Sequence, residues 1–281
     1  MKLLAAKFLA LTLGFVAYSA HAAVATCTLD SFTINTMTSS VTGIPVALPG
    51  AIQATGCFGV NAGNDAQGGL NEPSPNLGHL GDGLLNGGTF KGVQLVDPGQ
   101  FIDDSQFQAI KDPTKPVDPG WIMLGTLNGK FGTMKPYGKP LDFGDLLSFQ
   151  MNANKTWSLT TNPNLVQILN DNGLFGRSYF DHLAFVVKAG DGSNQSTGGW
   201  AIYDFDFNKL LAAAPGAFSL ATPYSFTGTW NTDDFGGKDI SHMSVWARDP
   251  ISTTNVPVPG TVFLAGIGLL ALGLVRKKSC S

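Results

Sequence analysis

Trp200-Ala-Ile-Tyr-Asp-Phe-Asp-Phe207 is the stretch on which the fold turns. In an extended chain successive side chains point to opposite faces, so Tyr203, Phe205 and Phe207 share one face while Asp204 and Asp206 take the other. Three aromatics on one face ask for an apolar layer opposite them. Suitable partners lie close by in sequence: Leu183-Ala-Phe-Val-Val-Lys188, Tyr224-Ser-Phe-Thr-Gly-Thr-Trp230 and Ile240-Ser-His-Met-Ser-Val-Trp-Ala247. Upstream, Thr156-Trp-Ser-Leu-Thr160 alternates strictly, Leu141 to Met151 alternates loosely, and Trp121-Ile-Met-Leu124 is an apolar run. Strands at this spacing, with turn residues between them, predict an all-β domain of β-sandwich or jelly-roll type. One short helix fits the pattern. Asn162 would be its N-cap, Pro163 its first position, Leu165, Val166, Ile168 and Leu169 its apolar face, and Gly173 its stop.

Before Trp121 the signals are weaker. Ala23 to Ile52 is rich in Thr, Ser and Val, with Pro45 and Pro49, and suits extended chain and an edge strand. Gly56 to Asp65 runs into a Gly/Asn/Pro-rich segment to Gly88, which reads as a long surface loop or a loosely ordered insertion. Phe90 to Val96 reads as a strand closed by Asp97-Pro98-Gly99, and Asp112 to Gly120 as a proline-rich connector.

The two ends differ from the middle. Lys2 and Lys7 precede an apolar run, Phe8 to Tyr18, and Ala20-His21-Ala22 has the small-x-small form of a signal-peptide cleavage site, placing the mature start at Ala23. At the other end, Val256-Pro257-Val258-Pro259-Gly260 breaks regular structure, because proline lacks the N–H and fixes its own φ. Thr261 to Val275 is uncharged and apolar, and as helix would be about 22 Å long, a marginal membrane span. Arg276, Lys277 and Lys278 close it with positive charge that marks a cytoplasmic side. The chain thus divides into a signal peptide (1–22), an exported domain (23–250) and a C-terminal sorting or anchoring segment (251–281), with motif 256–260, span 261–275 and basic tail 276–281.

Five of the 17 Lys and Arg residues lie in these ends, whereas all 20 acids lie between them, leaving the exported part with a formal charge of −8. Such a balance argues against nucleic acid, which calls for a basic face. Charged residues make up only 13% of the chain, and all but one of the acids are Asp, so good helix formers are scarce. Of three cysteines, Cys27 and Cys57 fall in the exported part, where an oxidising compartment favours a disulfide over two free thiols. Cys280 lies beyond the span.

The C-terminal layout resembles the PEP-CTERM sorting signal of Gram-negative bacteria. The matching positions are Val256, Pro257, Pro259 and Gly260, the span Thr261 to Val275, and Arg276 to Lys278; Val258 departs from the motif's central Glu. The resemblance implies recognition by a membrane-embedded exosortase, cleavage near the motif, and delivery to the cell surface or an extracellular polysaccharide matrix. A plain C-terminal anchor is the simpler alternative. Cys57 to Asp65, Val186 to Gly190, Gly228-Thr-Trp230 and Ile240 to Val245 also resemble a recurring ectodomain type of PEP-CTERM proteins, one that carries no assigned chemistry.

Candidate chemistry is sparse. The exported histidines, His79, His182 and His242, stand apart in sequence, and no Gly-x-Ser-x-Gly elbow is present. A glycosidase would need two carboxyl groups across a cleft. Asp103-Asp104 and Asp233-Asp234 read as solvated turns, and Asp204 with Asp206 would need a third acid. Calcium is a candidate on Asn61, Asn64 and Asp65, or on Asp191 with Asn194, although neither set has EF-hand spacing. Trp246 is the candidate for stacking on a sugar ring, with Trp121, Trp157, Trp200 and Trp230 assigned to the core. The expectation is a non-enzymatic exported protein without cofactor or metal, with a carbohydrate-binding module as the rival and a surface hydrolase as a remote third.

Overall fold

The computed structural model describes residues 26–102, 120–190 and 198–250. Among these, nine strands of five residues or more build two antiparallel sheets: β1 (Phe32–Ser39), β2 (Gly56–Asn61), β3 (Gly120–Asn128), β4 (Leu147–Met151), β5 (Thr156–Thr161), β6 (His182–Gly190), β7 (Gly198–Asp206), β8 (Tyr224–Trp230) and β9 (Ile240–Asp249). The first sheet is ordered β1-β8-β5-β4, with Ile52–Gln53 outside β1 and Gly132–Thr133 outside β4. The second is ordered β2-β7-β6-β9-β3, with Lys135–Pro136 outside β3. The chain is mostly sheet, as expected. The strand expected in the N-terminal stretch is β1, one place in from the edge.

The inner faces meet around Phe185. Its ring lies 5.2 Å from Phe32, 5.1 Å from Trp157, 5.6 Å from Phe149 and 6.0 Å from Phe205, centroid to centroid. Tyr203 stacks on Phe32 at 5.0 Å. Gly228 on β8 lies opposite both Ile34 and Trp157, and a Cβ there would collide with the Trp157 indole and the Thr33 carbonyl. Here the absent side chain is what lets the tryptophan lie across its neighbour.

Among the described residues there are two α-helices, where one was expected in the domain. The first, α1 (Leu165–Asn172), starts two residues later than expected, with Asn164 and not Asn162 at the N-cap and Pro163 ahead of the helix; Asn162 still shapes its entry, its Oδ1 accepting from the Asn164 N–H at 2.8 Å. Gly173 ends it in the left-handed region at φ 58°. The second, α2 (Phe207–Ala213), begins where strand was expected to continue, because the Asp206 carboxylate accepts from the N–H groups of Asn208 and Lys209. Phe207 therefore reaches the core from a helix, stacked on Phe226 at 5.5 Å.

The larger correction concerns the Gly/Asn/Pro-rich segment. It is neither a surface loop nor loose: residues 62–102 fold as a cover over the outer face of the second sheet. Leu70, Leu84, Leu85, Val96 and Ile102 pack there against Trp121, Met123, Ala184, Val186, Trp200, Ile202 and Trp246 in a second apolar cluster. The predicted strand at Phe90 to Val96 is a small hairpin, Thr89–Phe90 with Val93–Gln94, turned by Lys91 and Gly92 at positive φ. The predicted strand Leu141 to Met151 shortens to β4, while Phe143 and Leu146 reach the core from irregular chain.

Two asparagines fasten the cover. Asn86 accepts from the Trp121 N–H and donates to the Trp121 carbonyl, both at 2.8 Å. Asn76 does the same for Met123, at 2.8 and 2.9 Å. The side-chain amides thus supply what a further strand would have supplied along this part of β3, and they satisfy an edge that would otherwise be left unpaired.

Cys27 and Cys57 form a disulfide with their Cα atoms 6.1 Å apart. It joins the segment that enters β1 of the first sheet to β2, an edge of the second. Closing about 30 residues is worth roughly 3–4 kcal/mol on the chain-entropy account. Replacing both cysteines by alanine is expected to lower the urea midpoint by that amount of stability; an unchanged midpoint would refute it. Among the described residues no helix is long and apolar enough to cross a membrane. The signal-peptide residues Ala20, Ala22 and Ala23 and the tail lie outside the described residues.

Candidate functional site: a buried ionic row beside a cleft

The antiparallel register of the second sheet sets side chains on its outer face in rows. Asp206 on β7, His182 on β6, Arg248 on β9 and Trp121 on β3 are successive cross-strand neighbours. The next row holds Asp204, Ala184, Trp246 and Met123. Alternation makes this the polar face of Trp200 to Phe207, as the sequence indicates, yet the face is buried: His182, Asp204, Asp206, Arg248 and the adjoining Asp181 are all below 9% exposed.

Buried charges persist only when they are paired and hydrogen-bonded. Arg248 pairs with Asp181 in a bidentate contact, Nε to Oδ1 at 2.9 Å and Nη2 to Oδ2 at 2.6 Å. The Asn208 amide, from α2, donates to the same Asp181 Oδ2 at 2.7 Å. His182 places Nδ1 2.9 Å from Asp204 Oδ1 and Nε2 3.4 Å from Asp206 Oδ1. The Trp121 ring meets the imidazole edge-on at 5.7 Å. Two histidines that stand apart in sequence are therefore both matched to acids, His182 to Asp204 and Asp206, and His242 to Asp65 at 2.7 Å.

Beside this row opens a cleft of about 520 Å³, lined in part by Gly56, Gln100, Phe101, Asp206, Lys209 and Arg248. The third acid that Asp204 and Asp206 would need is Asp181, but it is held by Arg248 and Asn208. His182 is flanked by carboxylates, which orient an imidazole and do not act as its nucleophilic partner. The arrangement knits three strands and α2 together.

Burial raises the Asp204 pKa above its ordinary value; Asp206 adds to the rise, and His182 and Arg248 oppose it. A carboxyl whose folded pKa is raised holds its proton where the unfolded chain has released it. Its contribution to stability is therefore present at low pH and lost as pH rises from the usual carboxylate range, about 3.9, through the raised value. Asp204→Asn should remove this slope. In thermal melts from acid toward neutral pH, the wild type should lose ground to the variant; a constant gap would sink the assignment. Tyr203 is likewise held protonated, by burial and by Asp234, whose carboxylate its hydroxyl contacts at 2.8 Å.

The other candidates fall as follows. Trp246 does not face a sugar: it is 0% exposed, lies under Gly83 and Leu70 of the cover, and donates its indole N–H to Ser244 Oγ at 2.8 Å. The cause is the cover, which fills the face that its strand position would otherwise have opened. Trp157 and Trp230 lie in or against the inter-sheet core, Trp121 and Trp200 beneath the cover. Asp65 is buried and also accepts from Asn71 at 3.1 Å, and Asn64 Oδ1 accepts from the Ala66 N–H at 3.2 Å. Those oxygens anchor and turn the start of the cover. Among the described residues no group of three or more His, Cys, Asp or Glu is placed to hold a metal ion. Asp234 is no free turn residue: it accepts from the Thr28 N–H at 3.0 Å and from Ser31 Oγ at 2.7 Å, tying the start of the described chain to the sandwich. Asp103, Asp104, Asp191 and Asn194 lie outside the described residues, as do Val256, Pro257, Pro259, Gly260, Arg276, Lys277 and Lys278.

The row, the network on Asp181 and α2 were not foreseen. The signal for α2 was present in Asp206 followed by Asn-Lys-Leu-Leu-Ala-Ala, a capping residue ahead of helix formers.

Comparison with known families places a PEP-CTERM protein-sorting motif at residues 255–277, and the chain carries that motif. No characterised protein and no solved structure matches the chain.

Proposed function

We propose that this chain is an exported, non-enzymatic protein of a Gram-negative bacterium, sorted through its C-terminus by an exosortase-type membrane enzyme and released to the cell surface or the extracellular polysaccharide matrix. The observation that carries this reading is the sorting motif at 255–277, which implies exosortase handling in general terms. The layout of Pro257 and Pro259, an apolar run and Arg276 to Lys278 supports it by supplying a break, a membrane-seeking segment and a charged stop. The buried row supports the non-enzymatic part, since its acids and imidazole are engaged with one another and with α2. A carbohydrate-binding role depended on Trp246 and loses its platform under the cover.

The test is the intact mass of the protein recovered from host membranes and from the medium. A released chain that begins at Ala23 and ends near Pro259 is expected, with 251–281 retained in a strain lacking the exosortase. A released chain that still ends at Ser281 would overturn the sorting claim.

A further inference from the structure

The outer face of the second sheet leaves one charged donor without an acceptor. Arg248 is 2% exposed, and its Nε and Nη2 are engaged with Asp181, but Nη1 has no hydrogen-bond partner among the described residues. A buried donor left unpaired keeps its full desolvation cost, so folded proteins rarely hold one without a reason. Arg248 also lines the cleft beside the row. An acceptor for Nη1 therefore has to come from a group seated on the cleft floor.

Three parts of the fold build that cleft. The sheet supplies Asp204, Asp206 and Arg248, the cover supplies Gln100 and Phe101, and α2 supplies Lys209 and Ala212. Phe101 is held in place: its ring meets Trp121 edge-on at 6.3 Å, and it lies so close to β2 that a Cβ on Gly56 would come within 3.3 Å of it. The volume of the cleft, about 520 Å³, falls within the roughly 300–1,000 Å³ of small-molecule sites.

The charges on the floor already face counter-charges. Asp181 neutralises Arg248 in the bidentate contact, and Asp206 has Lys209 Nζ at 3.4 Å. Asp204 faces His182 at 2.9 Å, and burial favours its protonated form. An ionic ligand would shed its water here with no uncompensated charge to receive it, whereas a neutral ligand does not meet that penalty. What the floor offers is a donor beside an acceptor. The donor is Nη1 of Arg248; the acceptor is Oδ2 of Asp206, whose partner among the described residues is the exposed Lys209 ammonium. A hydroxyl group both accepts and donates, so adjoining hydroxyls match this pairing. The partly exposed ring of Phe101 adds an apolar wall for the C–H face of such a molecule.

From this arrangement we infer that the cleft is a binding site for a neutral saccharide, with adjoining hydroxyls on Arg248 Nη1 and Asp206 Oδ2 and a sugar ring against Phe101. The site is separate from Trp246, which stays under the cover, and it does not depend on the sorting reading.

The experiment is saturation-transfer difference NMR on the full chain in phosphocholine micelles. Cellobiose, maltose and lactose are the neutral probes, glucuronate and glycine the ionic ones. Saturation should pass to at least one of the neutral disaccharides. Ala212→Trp, at an exposed position of α2, puts an indole into the cleft without altering the row, and should weaken that binding about tenfold or more with the melting temperature unchanged. Phe101→Leu keeps an apolar contact on Trp121, removes the ring face, and should weaken binding as well. No transfer to any of the three disaccharides overturns the proposal. Transfer that survives Ala212→Trp in a folded protein puts the sugar elsewhere and overturns it too. Transfer to glucuronate or glycine in place of the disaccharides overturns the neutral class. A chain that is cut and released as expected yet binds no sugar would leave the sorting reading standing, so the two failures are told apart.

Discussion

Trp246→Ala is expected to cost roughly 3–5 kcal/mol, the range for removing a large buried aromatic. The indole fills the centre of the apolar layer beneath the cover, and Gly83, at φ 89°, passes so near that a Cβ there would lie 2.8 Å from the ring. Truncation leaves a void that Leu70, Leu84 and Leu85 cannot close without moving the cover backbone. At roughly 2–4 °C per kcal/mol for a domain of this size, the melting temperature should fall by about 6–20 °C. The loss should also be localised. Protease sensitivity should rise first within 62–102, because the inter-sheet core around Phe185 does not include this side chain. A variant that melts with the wild type, yet loses retention on polysaccharide, would restore Trp246 as a binding platform and undo its place in the core.

Arg248→Met should cost a similar amount, about 3–5 kcal/mol, for a different reason. Methionine preserves much of the side-chain volume, so packing is largely retained. What remains is the Asp181 carboxylate, 3% exposed, with Asn208 as its surviving side-chain partner. The cost is the penalty of an uncompensated buried charge and not the worth of the ion pair. Asp181→Leu combined with Arg248→Met should therefore recover stability relative to Arg248→Met alone, since a buried pair replaced by apolar groups is often neutral. Chemical denaturation of the two single variants and the double variant measures this. Strict additivity of the two single losses would show that the pair is not coupled.

Much of the sandwich was legible from local pattern. Thr156 to Thr160 alternates because one face of β5 meets the core and the other meets solvent. The second sheet was harder to read. In β6 every residue from His182 to Ala189 is buried, so alternation no longer separates inside from outside. Asp204 and Asp206 fall on the correct face, but nothing in the local pattern shows that this face is covered, because the element that covers it lacks the signature of an element. Its apolar contacts, Leu70, Leu84, Leu85 and Val96, are scattered among glycines, and its hydrogen bonds to the sheet come from the Asn76 and Asn86 side chains. Those are non-local pairings that no period in the sequence announces. The site was hidden for the same reason: His182, Asp204 and Arg248 lie far apart along the chain and meet through strand register. The sorting motif is contiguous, so its reading needs no fold.

The disulfide also determines how the molecule would carry a mechanical load. Cys27 is bonded to Cys57 at the start of β2, and β2 pairs with β7 so that Gly56 faces Asp204, near the end of the sheet from which β9 exits. Tension applied between the two termini would enter at Cys57 and leave at Asp249, crossing β7 and β6 on the way. It would bypass β1 and the whole first sheet. Because both points of attachment lie near one end of the second sheet, the strands would be peeled apart rung by rung and not sheared as a block. With the disulfide reduced, the same tension would pass first through β1 and draw on the contacts of Phe32.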